Sequence, residues 1–369
     1  MLIGVVGPEV FIVQPGFVQG LVEYLGFDDK SAGYTASAEM FGIALTTVAM
    51  SFLSHRINWR HCLYASLALM ALANAACTFT SDATVFVLLR FLAGVGAGSV
   101  VSLGFAIVGL TANPDRNFGF LIMWVLSYGA LGLLVMPTAY QLVGMDGVLW
   151  FFALFPALTL LAVRQLPAGG IDPAIVEADT LDPGTGMKAC ALLAMLCYFT
   201  AQGVVWAYLF LIGLDGGLSE QQVANGLTLS QFGGVAGALL AALLGNRYGR
   251  ALPLTVSIAS GAACLYFLTG SLAFLVFATA VTVYNFFWNV THPYLLAAMA
   301  SFDRHGRIVI YAVAMQMVGL AIGPGLAATV ISEGDYGNVN LAGALLFVVS
   351  LVLILPPVLV QARALRVQR

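Results

Sequence analysis

Charge is what this chain has least of. Aspartate, glutamate, lysine and arginine make up 8% of its 369 residues, against about 25% in soluble domains. Hydrophobic residues reach 61% and the mean hydropathy is +0.97. No soluble core of this size hides so much apolar surface, because most of a folded surface must be wet. The bilayer is therefore the expected solvent. The net charge is only −3, and nothing in the composition points to nucleic acid. Cysteine is scarce too. Cys62, Cys77, Cys190, Cys197 and Cys264 all lie inside apolar runs; none has metal-ligand spacing, and they read as small packing residues. No Ser/His/Asp set, metal cluster or phosphate loop stands out, so neither an enzyme nor a cofactor is expected. His292 with Glu9 and Asn289 has no nucleophile beside it. A cleavable signal peptide is also missing. The apolar run from Met1 to Leu25 is too long for one and lacks a basic start and an A-x-A-like site. It reads as a membrane span, and its lack of a basic anchor leaves a misassigned start open.

A span needs about 20 mainly apolar residues. Turn and charge punctuation predicts twelve: 1–25, 31–53, 60–79, 83–111, 117–141, 147–166, 188–213, 220–244, 251–270, 272–300, 307–331 and 340–362. The shortest connection, at Gly270-Ser271, is where two spans are most easily merged. With both termini inside, twelve of the fourteen basic residues fall on the cytoplasmic side; Lys30 lies outside and Arg90 within a span. The outer loops carry acids such as Asp28, Asp82 and Asp146. A wrong span count would scramble this sorting, which follows the positive-inside rule. The fold class is thus all-α and membrane-embedded. A six-helix half over 1–166 and another over 188–369 flank a Pro- and Gly-bearing cytoplasmic connection, 167–187, read as a linker or, alternatively, a partner site.

A short basic turn occurs twice, once in each half. The first is Ser54-His55-Arg56-Ile57-Asn58-Trp59-Arg60 and the second Gly245-Asn246-Arg247-Tyr248-Gly249-Arg250. The fourth span holds Arg90-Phe91-Leu92-Ala93-Gly94-Val95-Gly96-Ala97-Gly98, and the eleventh Gly319-Leu320-Ala321-Ile322-Gly323-Pro324. In order and depth these motifs resemble the major facilitator superfamily over essentially the whole chain. That family's turn reads G-x-L-x-D-R-x-G-R-[KR]. Arg247, Gly249 and Arg250 match the second copy, and Leu53, Arg56 and Arg60 the first. His55 and Asn246 stand where the family has aspartate. The turns have two readings: topology, with arginines snorkelling to phosphates, or a latch between helices. Without the aspartates the latch is weaker or differently built. A pH-sensing role for His55 is a further reading. Gly94, Gly96 and Gly98 are expected to pack helices closely. The Gly-Pro pair resembles an antiporter element, but in the wrong half; the fifth span has Gly129, Gly132 and Pro137 without it. No sugar-porter motif is present.

Four ionisable groups lie within spans: Glu9, Glu39, Arg90 and His292. Such groups cost about 2.5–3.5 kcal/mol at a helix centre and mark a pathway or a pair. Glu39 and Arg90 both fall roughly 10–12 Å below the outer face at the helical rise, so they are placed to pair, as a structural ion pair or a proton-coupling unit. Glu9 has no evident charged partner and reads as either a proton-exchanging or a hydrogen-bonded structural carboxyl. Asn285, Trp288, Asn289 and His292 recur at helical spacing on one face, just before Pro293. Gln202 and Trp206, Trp124 and Tyr128, and Gln14 beside Pro15 add further polar-aromatic pairs, with Gln231 and Gln316 as lesser candidates. The resemblance implies that spans 1, 4, 7 and 10 line a central cavity, with help from 5, 8 and 11. Taken together, these residues suit an amphipathic or weakly charged organic solute.

The expectation is a secondary transporter working by alternating access, coupled to protons. It would act as a monomer in a bacterial cytoplasmic membrane, with solute, protons and bilayer as its partners. A non-transporting sensor on the same fold is the alternative.

Overall fold

The computed structural model describes residues 2–54, 56–109, 114–169, 184–245, 247–302, 307–331 and 335–367. Most of the predicted linker lies outside them, as do His55 and Asn246. The first expected span is three short helices, α1 (Leu2–Val6), α2 (Glu9–Ile12) and α3 (Gln14–Glu23). The next three are single helices: α4 (Asp29–Leu53), α5 (Trp59–Cys77) and α6 (Ala83–Gly109). The fifth and sixth run together as α7 (Pro114–Thr159), broken at Gly144, which takes φ 66° and ψ −175°. A 3-10 turn, Leu160–Gln165, ends it. The remaining six spans are α8 (Thr185–Asp215), α9 (Glu220–Leu244), α10 (Ala251–Tyr266), α11 (Phe274–Ala300), α12 (Arg307–Val330) and α13 (Gly337–Val367). The short connection at Gly270 does separate two helices. Gly270 has φ 69°, a conformation glycine adopts without strain.

Polar side chains cap three of these helices. Asp28 caps α4 by accepting from the Ser31 N–H at 2.9 Å, and Asn58 caps α5 through the His61 N–H at 3.2 Å. Ser219 and Gln222 form a reciprocal capping box on α9. The hydrogen bonds from Ser31 hold the Asp28 carboxyl below the usual carboxylate range.

The chain divides into two compact units. One gathers the residues up to Pro173 with Trp206–Leu211 of α8 and Pro324–Thr329 of α12; the other takes the rest. Each unit is organised around a glycine seam. In the first, α4 packs on α6. A Cβ on Gly94 would stand 2.0 Å from the Glu39 carbonyl oxygen, and one on Gly42 2.3 Å from that of Phe91. Gly98 faces the Ile43 carbonyl, and Gly96 turns the other way, onto the Ser66 carbonyl of α5. In the second unit, α9 packs on α11 in the same manner: a Cβ on Gly237 would lie 2.1 Å from the Phe286 carbonyl oxygen. Gly319 and Gly323 meet α8 backbone at Leu196 and Gly203. Without water to drive helices together, backbone approach of this kind supplies the adhesion.

Gly94→Ala is therefore expected to destabilise the protein by about 1–3 kcal/mol, because α4 backbone must move to admit the methyl group. Gly261→Ala, with nothing within 4 Å, is expected to be neutral or slightly stabilising. Thermal unfolding of both in the same detergent checks the pair; equal midpoints would remove the seam from the account.

Candidate functional site

Helix-breaking chemistry builds the first part of the site. Pro8 has no N–H and stands at the α1–α2 break with φ −89° and ψ 20°. Val13 breaks α2 from α3 with φ −105° and ψ 17°. Pro15 cannot donate to the Phe11 carbonyl one turn back. The freed oxygen is instead taken by the Trp206 indole N–H at 3.0 Å. Two polar side chains flank these breaks. Glu9 and Gln14 are each 1% exposed. Neither oxygen of Glu9 has a hydrogen-bond partner, and neither polar atom of Gln14 has one. Buried polar groups are normally paired, and these two stand without hydrogen-bond partners at the breaks of one span. Glu9 lies within electrostatic range of Arg90 and Glu39 and of Tyr128.

Beside it, Arg90 is a hub. Its Nη2 lies 2.5 Å from Glu39 Oε1, and its Nε–H donates to Glu39 Oε2 at 3.3 Å. Nη1 donates to Asn74 Oδ1, and Asn74 Nδ2 donates to the Phe152 carbonyl at 2.9 Å. The guanidinium sits 5.0 Å from the centre of the Phe17 ring. One fully buried side chain thus joins α3, α4, α5 and α6, and reaches α7 through Asn74. Both charges are matched within the cluster, which sets Glu39 apart from Glu9.

The second unit carries a hydrogen-bonded network. Gln202 donates to the Tyr198 hydroxyl at 2.9 Å and accepts from the Tyr284 hydroxyl. His292 Nε2 lies 3.0 Å from Gln316 Oε1, and its ring meets Phe199 edge-on at 5.1 Å. Asn285 donates to Ser230 at 3.3 Å and accepts from Asn289 at 2.9 Å. Trp288 packs edge-on against Tyr284. Phenols, amides and one imidazole can exchange these internal bonds for bonds to a solute without exposing an unpaired charge.

The structure brings together Glu39 with Arg90, Asn285 with Asn289, and His292 with Gln316. It holds Trp206 against the helix-breaking segment. Tyr128 stacks on Phe155 at 5.9 Å, while its expected companion Trp124 is 55% exposed. Asn74 and Tyr198 are hydrogen-bonded to these candidates, Asn74 to Arg90 and Tyr198 to Gln202, and neither is among the residues the sequence singles out. Asn74 alone was open to discovery, as an amide inside an apolar span.

The basic turns differ from one another. Arg60 Nε–H donates to the Leu166 carbonyl at 2.5 Å. Arg250 donates to Ser301 Oγ at 2.6 Å and to Gln361 Oε1 at 3.1 Å, so it joins three helix ends. Gly249 takes φ 67°. Arg56 and Arg247 are exposed.

Residues 2–175 match the family model of the Major Facilitator Superfamily. This segment is similar to that superfamily. The likeness of fold covers the whole chain. A mutant form of the nucleoside transporter NupG superposes with a TM-score of 0.79 over 96% of this chain and 97% of its own, at 13% identity. The xylose transporter XylE from E. coli, in a partially occluded inward-open conformation, gives 0.70 over 94% of each chain, also at 13% identity. Among curated proteins, a gallate transporter of Pseudomonas putida is 23% identical over 293 residues, 68% of this chain. The match spans 65% of that relative's own length, just under two thirds. The chain is an integral membrane protein, and its described residues have the helical fold of these solved transporters.

Proposed function

We propose that this protein is a proton-coupled secondary transporter that moves a small organic solute by alternating access. It acts in a bacterial cytoplasmic membrane with both termini inside, and it catalyses no chemical conversion. The two six-helix halves, 1–166 and 188–369, are its moving parts. Glu9 carries the reading: a fully buried carboxyl, without a hydrogen-bond partner, at the break of the first membrane span. An unpaired buried carboxylate is costly when ionised and cheap when neutral, so proton uptake at Glu9 answers to whatever charge enters beside it. The solute is an aromatic acid or a similarly amphipathic molecule. The phenol, amide and imidazole groups around Gln202, Tyr284 and His292 suit ring hydroxyls, and the gallate-transporting relative points the same way.

Purified protein in proteoliposomes tests this. An inward proton gradient is expected to drive accumulation of gallate or a related hydroxylated aromatic acid, and a protonophore to abolish it. Nucleoside and xylose serve as comparison solutes. Saturable binding without flux of any solute would favour a sensor instead.

A further inference from the structure

The break at Gly144 folds α7 into two limbs, and the limbs leave a cavity of about 410 Å³ between them. Its walls are apolar; the Tyr128 hydroxyl is the one oxygen on any lining side chain. Small residues line it, with Gly132 and Ala139 on one limb and Gly147 on the other. Buried Val13 lies at its floor, and a Cβ on Gly132 would come within 2.7 Å of that valine. The rim is apolar and open: Leu131 is 63% exposed and Phe151 51%.

Water does not hold such a space, because each ordered water needs two or more polar partners. The rim continues along α7 as exposed Val135, Leu142, Leu154 and Leu158, a surface suited only to hydrocarbon. From Leu131 to Val143 the groove runs about 18 Å along the helix, close to the half-thickness of a ~30 Å bilayer core. It starts near the Gly144 turn and ends at Tyr128. No Lys or Arg lies between Leu131 and Phe152, whereas Asp146 is exposed on the turn.

We infer that this groove binds one acyl chain of a membrane phospholipid with an ammonium headgroup, seated against Val13 behind the broken first span. The headgroup lies at the Gly144–Asp146 turn, where Asp146 favours an ethanolamine head over an anionic one. The lipid then serves as part of the wall that holds the helix break.

Native mass spectrometry of the detergent-solubilised protein, offered equal phosphatidylethanolamine and phosphatidylglycerol, tests this. The wild type is expected to retain one phosphatidylethanolamine. Ala139→Phe and Val135→Phe, which fill the groove, are expected to lose that adduct while eluting as the same folded species. Retention of the lipid by either folded variant overturns the proposal. So does a wild type that keeps no lipid or prefers phosphatidylglycerol; these two readings stand even if neither variant folds.

Discussion

Arg90→Met is expected to destabilise the protein by about 3–5 kcal/mol, the usual cost of stranding one partner of a buried ion pair. Arg90 is 0% exposed and Glu39 3%, so no solvent replaces the lost cation. The substitution strips two acceptors at once, because Asn74 also loses its donor, and it removes the cation from the Phe17 ring. The cost is not the worth of the pair itself. Two charges taken out of water gain little over a well-packed neutral pair. The double variant Arg90→Met with Glu39→Gln should therefore recover most of the loss, since no unpaired buried charge is left behind. A thermal-unfolding cycle of the two single variants and the double variant measures the coupling. If the double variant is as unstable as the sum of the singles, the cluster is not a pair held by charge.

Much of this architecture was legible because hydrocarbon imposes a simple code. Apolar runs of spanning length, punctuated by charges, located twelve spans even where the turns between them shrink to Gly144 or Gly270. Glu39 and Arg90 were readable as a pair because depth along a span follows from the helical rise alone. Hydropathy is blind to backbone breaks, however. The run 1–25 reads as one span because its average is apolar, although Pro8 and Pro15 announce that two carbonyls must find other donors. Which donor answers cannot be seen in sequence: Trp206 is almost two hundred positions from Phe11, and nothing local links them. Its spacing from Gln202 suggests a side chain facing solute, whereas its indole N–H serves the broken helix. Asn74 escaped because it has no aromatic companion at helical spacing, yet it carries the Arg90 cluster across to α7. The paired basic turns carried the family resemblance, but they differ in what they hold. Arg250 is tied to Ser301 and Gln361, while Arg56 and Arg247 stand exposed.

Glu9→Gln should separate coupling from stability. Glu39 is neutralised by Arg90 and held by two contacts, so releasing its proton traffic would mean breaking the hub of the first unit. Glu9 has no such tie; its oxygens are buried without partners. Glutamine matches its shape and removes the proton. The variant is expected to fold with an unchanged or raised thermal midpoint, because the group that was costly to ionise is now permanently neutral. Accumulation driven by a proton gradient should fall to the level seen without a gradient, while solute-for-solute exchange across the same liposomes continues. Glu39→Gln should do the reverse, lowering the midpoint while whatever protein remains folded still responds to the gradient. Gradient-driven uptake at the wild-type rate in Glu9→Gln would sink the assignment of the proton to this residue. Loss of exchange together with accumulation would make Glu9 a solute ligand instead, and Gln14, the second unpartnered group on the broken helix, would then be the next residue to vary.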